Sequence, residues 1–222
     1  MSSRIYLYPL WLRLWHWTNA TLFLFLILTG ISMHYANLNA PFIPFAAARV
    51  IHNIAGVALA VLYAGFIAGN LISGNWRHYV PHIRGFITRM ITQGKFYLFG
   101  IFKGEPHPYH PSKKLKFNPL QQLTYLNIMY FLMPILILTG LFLLFPELAP
   151  AKAFGAGGIW PMAVVHSIAA FLATAFMAGH IYLATTGEKV TTDFKEMITG
   201  WHEPEPVHSS NADVNIKDQN DE

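Results

Sequence analysis

The chain consists of long apolar stretches without formal charge, separated by shorter segments that hold nearly all of its charged residues. The four charge-free stretches run between Arg13 and Arg49, Arg49 and Arg77, Lys116 and Glu147, and Lys152 and Glu188. Each is longer than the roughly 20 residues that a membrane-spanning helix needs. The pattern predicts four spanning helices, at about residues 13–33, 49–72, 121–145 and 160–186.

Composition points to lipid as the surroundings of this chain. Of the 222 residues, 54% are hydrophobic and only 12% are charged, whereas a soluble domain has about 25% charged residues. The first span is too long for a cleavable signal peptide, and no small-residue cleavage pattern follows it. We therefore expect an all-α integral membrane protein, a four-helix bundle formed by residues 1–201, followed by a disordered acidic tail at 202–222.

The basic residues predict the orientation of the bundle. The loop between the second and third spans carries eight of them, namely Arg77, Arg84, Arg89, Lys95, Lys103, Lys113, Lys114 and Lys116. By the positive-inside rule this loop is cytoplasmic, and so are both termini of a multi-pass protein of the bacterial inner membrane. The net charge of +4 therefore has a membrane explanation and does not indicate a nucleic-acid partner. The same loop is either an amphipathic segment in the interface plane or an ordinary loop attracted to anionic lipid.

Four histidines, His16, His52, His166 and His180, lie within the predicted spans. An ionisable ring in hydrocarbon is costly, so such residues are functional-site candidates. His180 follows His166 by fourteen residues, a rise of about 21 Å in close to four full turns, so both face one side of the helix at two depths. Cysteine is absent, which excludes cysteine-ligated iron–sulfur clusters and covalently attached c-type haem.

Depth predicts how these histidines pair. His52 and His166 each begin a helix that runs inward from the periplasmic face, whereas His16 and His180 lie toward the cytoplasm. We expect two haem b groups whose iron is held by His52 with His166 and by His16 with His180. Three alternatives stay open: histidines that only hydrogen-bond within the bundle, His34 as a competitor of His52, and a zinc site, which the missing acidic and cysteine ligands disfavour.

A weak internal repeat accompanies the histidines. Leu-Ile-Leu-Thr-Gly occurs at 26–30 and again at 136–140, and His52-Asn-Ile-Ala-Gly is echoed by His166-Ser-Ile-Ala-Ala. The order is the same in both halves, which predicts that the first two helices correspond to the last two in parallel topology. Glycines at 30, 56, 140 and 179 allow close approach, either of a flat macrocycle or of a neighbouring helix.

Four motifs resemble those of a known family: Leu14-Trp15-His16-Trp17, Ile51-His52-Asn53, the His166…His180 pair, and Lys116-Phe117-Asn118-Pro119-Leu120-Gln121. They resemble the di-haem cytochrome b subunits of membrane oxidoreductases, such as the formate dehydrogenase gamma subunit, the nickel–iron hydrogenase b-type cytochrome and the thiosulfate reductase cytochrome b subunit. The resemblance implies a quinone, menaquinone or ubiquinone, at Asn118 and Gln121 on the cytoplasmic side, where an Asn-x-Gly-Gln segment lines the pocket. Here Leu120 stands in place of that glycine. Lys116 is a third candidate, and the alternative is that the amides simply cap the helix.

These features predict an electron-transfer subunit of a quinone-linked oxidoreductase. We expect an iron–sulfur, multihaem, molybdenum or nickel redox subunit to dock at the periplasmic loops 34–48 and 146–160, which are short, nearly uncharged and rich in proline and aromatic residues. The sequence sets neither the direction of electron flow nor the oligomeric state. A stand-alone b561-type cytochrome and a haem-free membrane anchor are the alternatives; a co-purifying partner distinguishes the first and haem content the second.

Overall fold

The computed structural model describes residues 4–35, 42–81, 83–109, 111–112, 115–153, 155–186 and 190–203. Its helices are α1 (Leu10–His34), α2 (Phe45–Ser73), α3 (Phe86–Lys95), α4 (Pro119–Leu144), α5 (Trp160–Ala184) and α6 (Thr192–Thr199). Two-residue strands are β1 (Ile5–Tyr6), β2 (Lys152–Ala153), β3 (Ala156–Gly157) and β4 (Trp201–His202), paired antiparallel as β1 with β4 and β2 with β3. Short 3₁₀ helices lie at Asn75–Tyr79, Ile101–Lys103 and Pro146–Leu148, and a turn of π-helix lies at Phe96–Gly100.

Four helices, α1, α2, α4 and α5, are long and apolar enough to cross a membrane, which confirms the predicted number of spans. The first two begin before the arginines that limit the charge-free stretches, directly after Pro9 and Pro44. Proline is favoured at a helix start, where no intrahelical N–H bond is needed, and is costly in the interior. Arg13 and Arg49 therefore lie within their helices, close to the start, rather than at the boundaries.

The spanning helices form two pairs, α1 with α2 and α4 with α5, joined by contacts of α2 with α4. This is the pairing that the internal repeat predicts.

The two ends of the bundle are named as follows. The end where α1 begins and α5 ends is called the terminal end. The opposite end, which carries the connections from α1 to α2 and from α4 to α5, is called the loop end. Fully buried Phe66 lies at the centre of the terminal-end core, with Leu12 and Tyr79.

The segment after α5 closes the terminal end and corrects a prediction. His202, assigned to a disordered tail, lies in β4 opposite Ile5. Its side chain is buried, and Nδ1 lies 2.6 Å from Oε1 of Glu196 in α6. Trp17 Nε1 donates to the Met197 carbonyl at 3.0 Å. The His202–Glu196 contact lies within this segment, and the indole bond of Trp17 and the β1–β4 pairing hold the segment against the N-terminal part of the chain. The ordered chain therefore extends past residue 201; residues 204–222 lie outside the described part.

The basic loop between α2 and α4 contains the helix α3. Ile87 and Ile91 on this helix are exposed, whereas Gln93 is buried, and α3 packs against the start of α4. This is the distribution of apolar and polar side chains that an interfacial amphipathic segment requires. Two basic residues of this loop, Lys113 and Lys114, lie outside the described part of the chain.

A π-helical turn in α4 leaves a backbone carbonyl free to accept a hydrogen bond from the other helix pair. The helix has π geometry at Ile128–Leu132, and the N–H of Met133 reaches back to the Ile128 carbonyl. Pro134, next along the chain, has no N–H. The Met129 carbonyl therefore lacks a donor in its own helix and accepts the Tyr63 hydroxyl of α2 at 2.8 Å. This bond fixes the position of α2 against α4.

Replacing Tyr63 with phenylalanine removes that donor and leaves a carbonyl unpaired. Interhelical hydrogen bonds in membrane proteins average about 0.6 kcal/mol and reach about 1.7 kcal/mol, so we expect the free energy of unfolding to fall by about 1 kcal/mol. Unfolding by dodecyl sulfate in mixed micelles measures it. Tyr182→Phe is the matched control, because Tyr182 is 54% exposed on α5. Equal stability of the two variants would contradict the assignment.

Candidate functional site

The structure brings the four intramembrane histidines together as two pairs. The imidazole centroids of His52 and His166 are 6.3 Å apart, and those of His16 and His180 are 6.1 Å apart. The first pair joins α2 to α5 near the loop end and is called the loop-end pair. The second joins α1 to α5 near the terminal end and is called the terminal-end pair. All four rings are half-buried, and each histidine has the neighbour that depth predicted.

The separation within each pair fits two imidazoles that bind one metal atom from opposite sides. A metal–nitrogen bond is about 2 Å long, so two bonds in line, plus about 1.1 Å from each nitrogen to its ring centroid, give about 6 Å between centroids. Both observed distances match this value. Bis-histidine ligation is a known mode of holding haem iron between helices of a bundle. The donor set and spacing therefore fit haem b.

Each histidine of the loop-end pair also contacts a threonine on the preceding spanning helix. His52 Nδ1 lies 2.9 Å from the Thr29 hydroxyl oxygen, and His166 Nδ1 lies 2.9 Å from that of Thr139. Both threonines are buried. The sequence analysis did not single them out, although both belong to the repeated Leu-Ile-Leu-Thr-Gly segment, which was the signal that would have found them.

Glycines beside these threonines provide room for the histidine rings. A β-carbon on Gly140 would approach His166 Cε1 to 3.2 Å, and one on Gly30 would approach His52 Cε1 to 3.5 Å. The first distance is tighter than ordinary van der Waals contact and the second is not. Gly56 lies against Leu26, and Gly179 has open space around it, so the four predicted glycines do not share one role.

The terminal-end pair has different surroundings. His180 stacks on Phe176 with centroids 5.7 Å apart and contacts the edge of Tyr125 at 6.1 Å, while Trp17 lies 5.2 Å from His16. The Nδ1 atom of His16 is buried and has no hydrogen-bond partner among the described residues. Aromatic packing thus surrounds this pair where hydroxyl bonds hold the other.

The remaining histidines do not join either pair. The ring of His34 packs on Tyr35 at 4.8 Å, and His107 bonds the Thr186 carbonyl at 3.3 Å. In the described part of the chain, no group of three or more histidine, cysteine, aspartate or glutamate side chains has the arrangement of a metal site. His82, His110 and His208 lie outside the described residues.

The predicted quinone residues Asn118 and Gln121 form a capping box at the start of α4. Asn118 Oδ1 accepts from the Gln121 N–H at 2.9 Å, and the Asn118 N–H donates to Gln121 Oε1 at 3.1 Å. The Asn118 amide group also donates to the Tyr97 hydroxyl at 2.9 Å. The capping role that the sequence left open is therefore the role that these amide oxygens have in the structure.

Lys116 belongs to a buried chain of polar groups beside that cap. Its ammonium donates to Asn75 Oδ1 at 2.9 Å, and the Asn75 amide donates to Asn70 Oδ1 at 2.8 Å. Burial lowers the pKa of Lys116, because desolvation disfavours the charged form. A lysine with a lowered pKa exchanges protons more readily near neutral pH than an exposed one.

The polar chain borders a crevice of about 200 Å³ between α2, the turn after it and α4. Asn70, Tyr79 and Tyr130 line it together with Trp76 and Leu126, and its accessible surface is apolar. The Tyr130 hydroxyl is buried without a hydrogen-bond partner among the described residues. A continuous series of ring contacts, Tyr79–Phe117 at 5.4 Å, Phe117–Tyr125 at 5.0 Å and Tyr125–His180 at 6.1 Å, joins the crevice to the terminal-end pair.

Histidine pairs at two levels of a bundle with four candidate membrane spans define a class, the membrane b-type cytochromes. The family described as prokaryotic cytochrome b561 matches residues 7–200, and the chain belongs to this family. It is also 40% identical over 201 residues to the Escherichia coli (strain K12) protein named "Putative cytochrome YdhU", a match that covers 90% of this chain and 76% of the relative. Membership implies haem b binding and membrane electron transfer. The resemblance drawn from the motifs is thus confirmed at the level of b-type cytochromes.

A β-carbon would lie closer to the histidine ring at Gly140 than at Gly30, and this difference predicts different haem contents for the two alanine variants. Gly140→Ala forces the His166 ring to move, and overpacking of this kind costs about 1–3 kcal/mol. Gly30→Ala meets His52 at an ordinary contact distance and serves as the matched control. We expect a lower haem-to-protein ratio and thermal midpoint for Gly140→Ala alone. Equal behaviour of the two variants would contradict the geometry.

Proposed function

We propose that this cytochrome carries two haem b groups and transfers electrons between a periplasmic redox subunit and the membrane quinone pool. The observation that carries the proposal is the presence of two histidine pairs, each with the separation of a bis-imidazole site and each with one histidine on α5. Within the chain, His52 and His166 would hold the outer haem, and His16 and His180 the inner one. Bound haem supplies reversible one-electron exchange; the histidines orient it and the apolar helices exclude water.

The orientation of the bundle rests on its basic loop. The described basic residues of the terminal end and its loop number nine: Arg4, Arg13, Arg77, Arg84, Arg89, Lys95, Lys103, Lys116 and Lys195. The positive-inside rule puts such an end in the cytoplasm. Both termini are then cytoplasmic, the loop-end pair is near the periplasm, and the protein belongs to the bacterial inner membrane. The two haems together would connect the two faces.

The loop end supports the proposed docking of a partner. Tyr35, Phe42, Leu148 and Trp160 there are 74%, 77%, 66% and 67% exposed, so this end offers large apolar side chains that a docked subunit would cover. The partner would be an iron–sulfur, multihaem, molybdenum or nickel subunit. Parts of both loops, residues 36–41 and 154, lie outside the described chain. Family membership also favours a second candidate, a stand-alone b561-type cytochrome.

Quinone exchange is proposed at the terminal end, next to the inner pair. A quinone becomes a quinol by taking up two electrons and two protons, so its site needs an electron route and proton-bearing groups. The crevice lies next to both: the ring series leads from its lining residue Tyr79 to His180, and its lining residue Asn70 is the end of the chain from Lys116 through Asn75. Because Asn118 and Gln121 are used in the cap, we propose that they shape this site, while Lys116 and Tyr130 meet the quinone oxygens.

Haem stoichiometry tests the proposal directly. Purified protein should contain about two haems b per chain by pyridine haemochrome assay. His52→Ala and His166→Ala should remove the same haem, and His16→Ala and His180→Ala the other, because an iron that loses one of two axial ligands is poorly retained. His34→Ala is the matched control and should keep both. Absence of haem from the wild-type protein, or selective loss in crossed combinations, would overturn the assignment.

The quinone site predicts a selective kinetic defect. Tyr130→Phe and Lys116→Met should slow the reoxidation of reduced haem by a soluble quinone analogue about tenfold, the effect of one lost hydrogen bond. Stopped-flow absorbance measures this rate, with ferricyanide as an oxidant that needs no such bond. The exposed Tyr182→Phe variant is the control. Rates that fall equally for both oxidants, or for neither, would contradict the site.

A further inference from the structure

Thr29 and Thr139 belong to the repeated Leu-Ile-Leu-Thr-Gly segment, and the function proposed above assigns them no role. Each lies one residue before a glycine, on the spanning helix that precedes a paired histidine, and each contacts that histidine at 2.9 Å. The two helix pairs of the bundle therefore show one arrangement. Chance packing is a poor explanation for a contact that recurs with the same atoms at the same distance.

The hydrogen bonds of the two threonines determine where the imidazole proton is. A hydroxyl has one proton and two lone pairs, and a backbone carbonyl only accepts. The Thr29 hydroxyl donates to the Phe25 carbonyl at 2.6 Å, and the Thr139 hydroxyl to the Ile135 carbonyl at 2.6 Å. Each threonine oxygen must then accept from Nδ1–H of its histidine. The proton stays on Nδ1, and the Nε2 lone pair is free to bind iron.

We propose that Thr29 and Thr139 are positioning residues that fix the tautomer of His52 and His166 and lower the midpoint potential of the outer haem. This inference rests on the proposed assignment of that pair as iron ligands. An acceptor at the far N–H of a ligating histidine raises the basicity of the ligand. A more basic ligand stabilises the more positive, oxidised iron. Removing the acceptor therefore favours reduction.

The terminal-end pair provides the contrast. His16 Nδ1 has no such partner among the described residues. The hydroxyl effect consequently acts on one haem of the chain and separates its potential from that of the other. The two threonine–histidine bonds come from one repeated segment, and they affect only the haem at the end where we place the partner subunit.

Hydroxyl-to-carbonyl bonds alone do not distinguish these threonines, because threonine commonly bonds the carbonyl one turn back in a helix. Thr174 on α5 is of that ordinary kind, with its hydroxyl donating to the Ala170 carbonyl at 2.8 Å. Thr174→Val thus removes the same helix bond without removing an acceptor of His52 or His166. It is the matched control for Thr29→Val and Thr139→Val.

The test is a potentiometric titration of the purified full-length chain with both haems followed optically. Thr29→Val and Thr139→Val should each raise the outer potential and leave the inner one unchanged, where a tenfold change in the reduced-to-oxidised ratio corresponds to about 59 mV. Thr29→Ser, which keeps the hydroxyl, should restore the wild-type value. Shifts no larger than that of Thr174→Val, or equal shifts of both haems, would overturn the proposal.

Two further outcomes remain decisive. If a valine variant loses the outer haem, retention by the matching serine variant supports the hydroxyl role, and loss from both shows a packing role and overturns it. If the wild-type protein binds no haem, the proposed function fails, but histidine ¹⁵N spectra of that protein still report the tautomer. Nδ1–H at His52 and His166, lost in the valine variants, would uphold the threonine bonds; the opposite tautomer would refute them.

Discussion

The burial of four imidazoles in an apolar bundle is the constraint on which the rest of this structure depends. A polar ring in hydrocarbon must find partners, and each ring here faces another about 6 Å away. Both pairs share α5, because fourteen residues between His166 and His180 return to the same helix face. That helix therefore faces α1 at one depth and α2 at another through its two histidines.

The two ends of the bundle meet that constraint in different ways. At the loop end, Thr29 and Thr139 bond the histidines, and small glycines let the rings approach the helix backbone. At the terminal end, Phe176 and Tyr125 pack on His180, and the segment through Glu196 and His202 closes over α1. The same end holds the buried polar chain from Lys116 to Asn70. An apolar, hydroxyl-bonded site and an aromatic site beside polar groups suit the different tasks proposed for the two ends, namely electron exchange with a docked protein and exchange that also moves protons.

Much of the fold follows from local rules that need no tertiary information. The charge-free stretches predict four spans because a charge inside lipid is costly, and the helix rise predicts which histidines share a depth. The helices α1 and α2 begin three and four residues before the approximate starts that the charge pattern gives, at Leu10 and Phe45, since arginine near a membrane boundary is tolerated and a proline directly precedes each helix. The tail boundary was wrong at His202, because its order comes from a buried contact with Glu196 and strand pairing with Ile5, neither of which has a periodic signal. The use of Asn118 and Gln121 in a cap was open because the same amides suit either role.

The sequence by itself determined the class of environment, the number of spans, the depth of each histidine and the repeat, since these depend on composition and on the fixed geometry of a helix. Only the tertiary structure decided which hydroxyl bonds which ring and which carbonyl lacks a donor. Tyr63 reaches the Met129 carbonyl because a π turn and Pro134 free it. Thr29 reaches His52 because two helices cross at that level. Such contacts join atoms from different helices, and their distances depend on how the helices pack, which no pattern along one chain encodes.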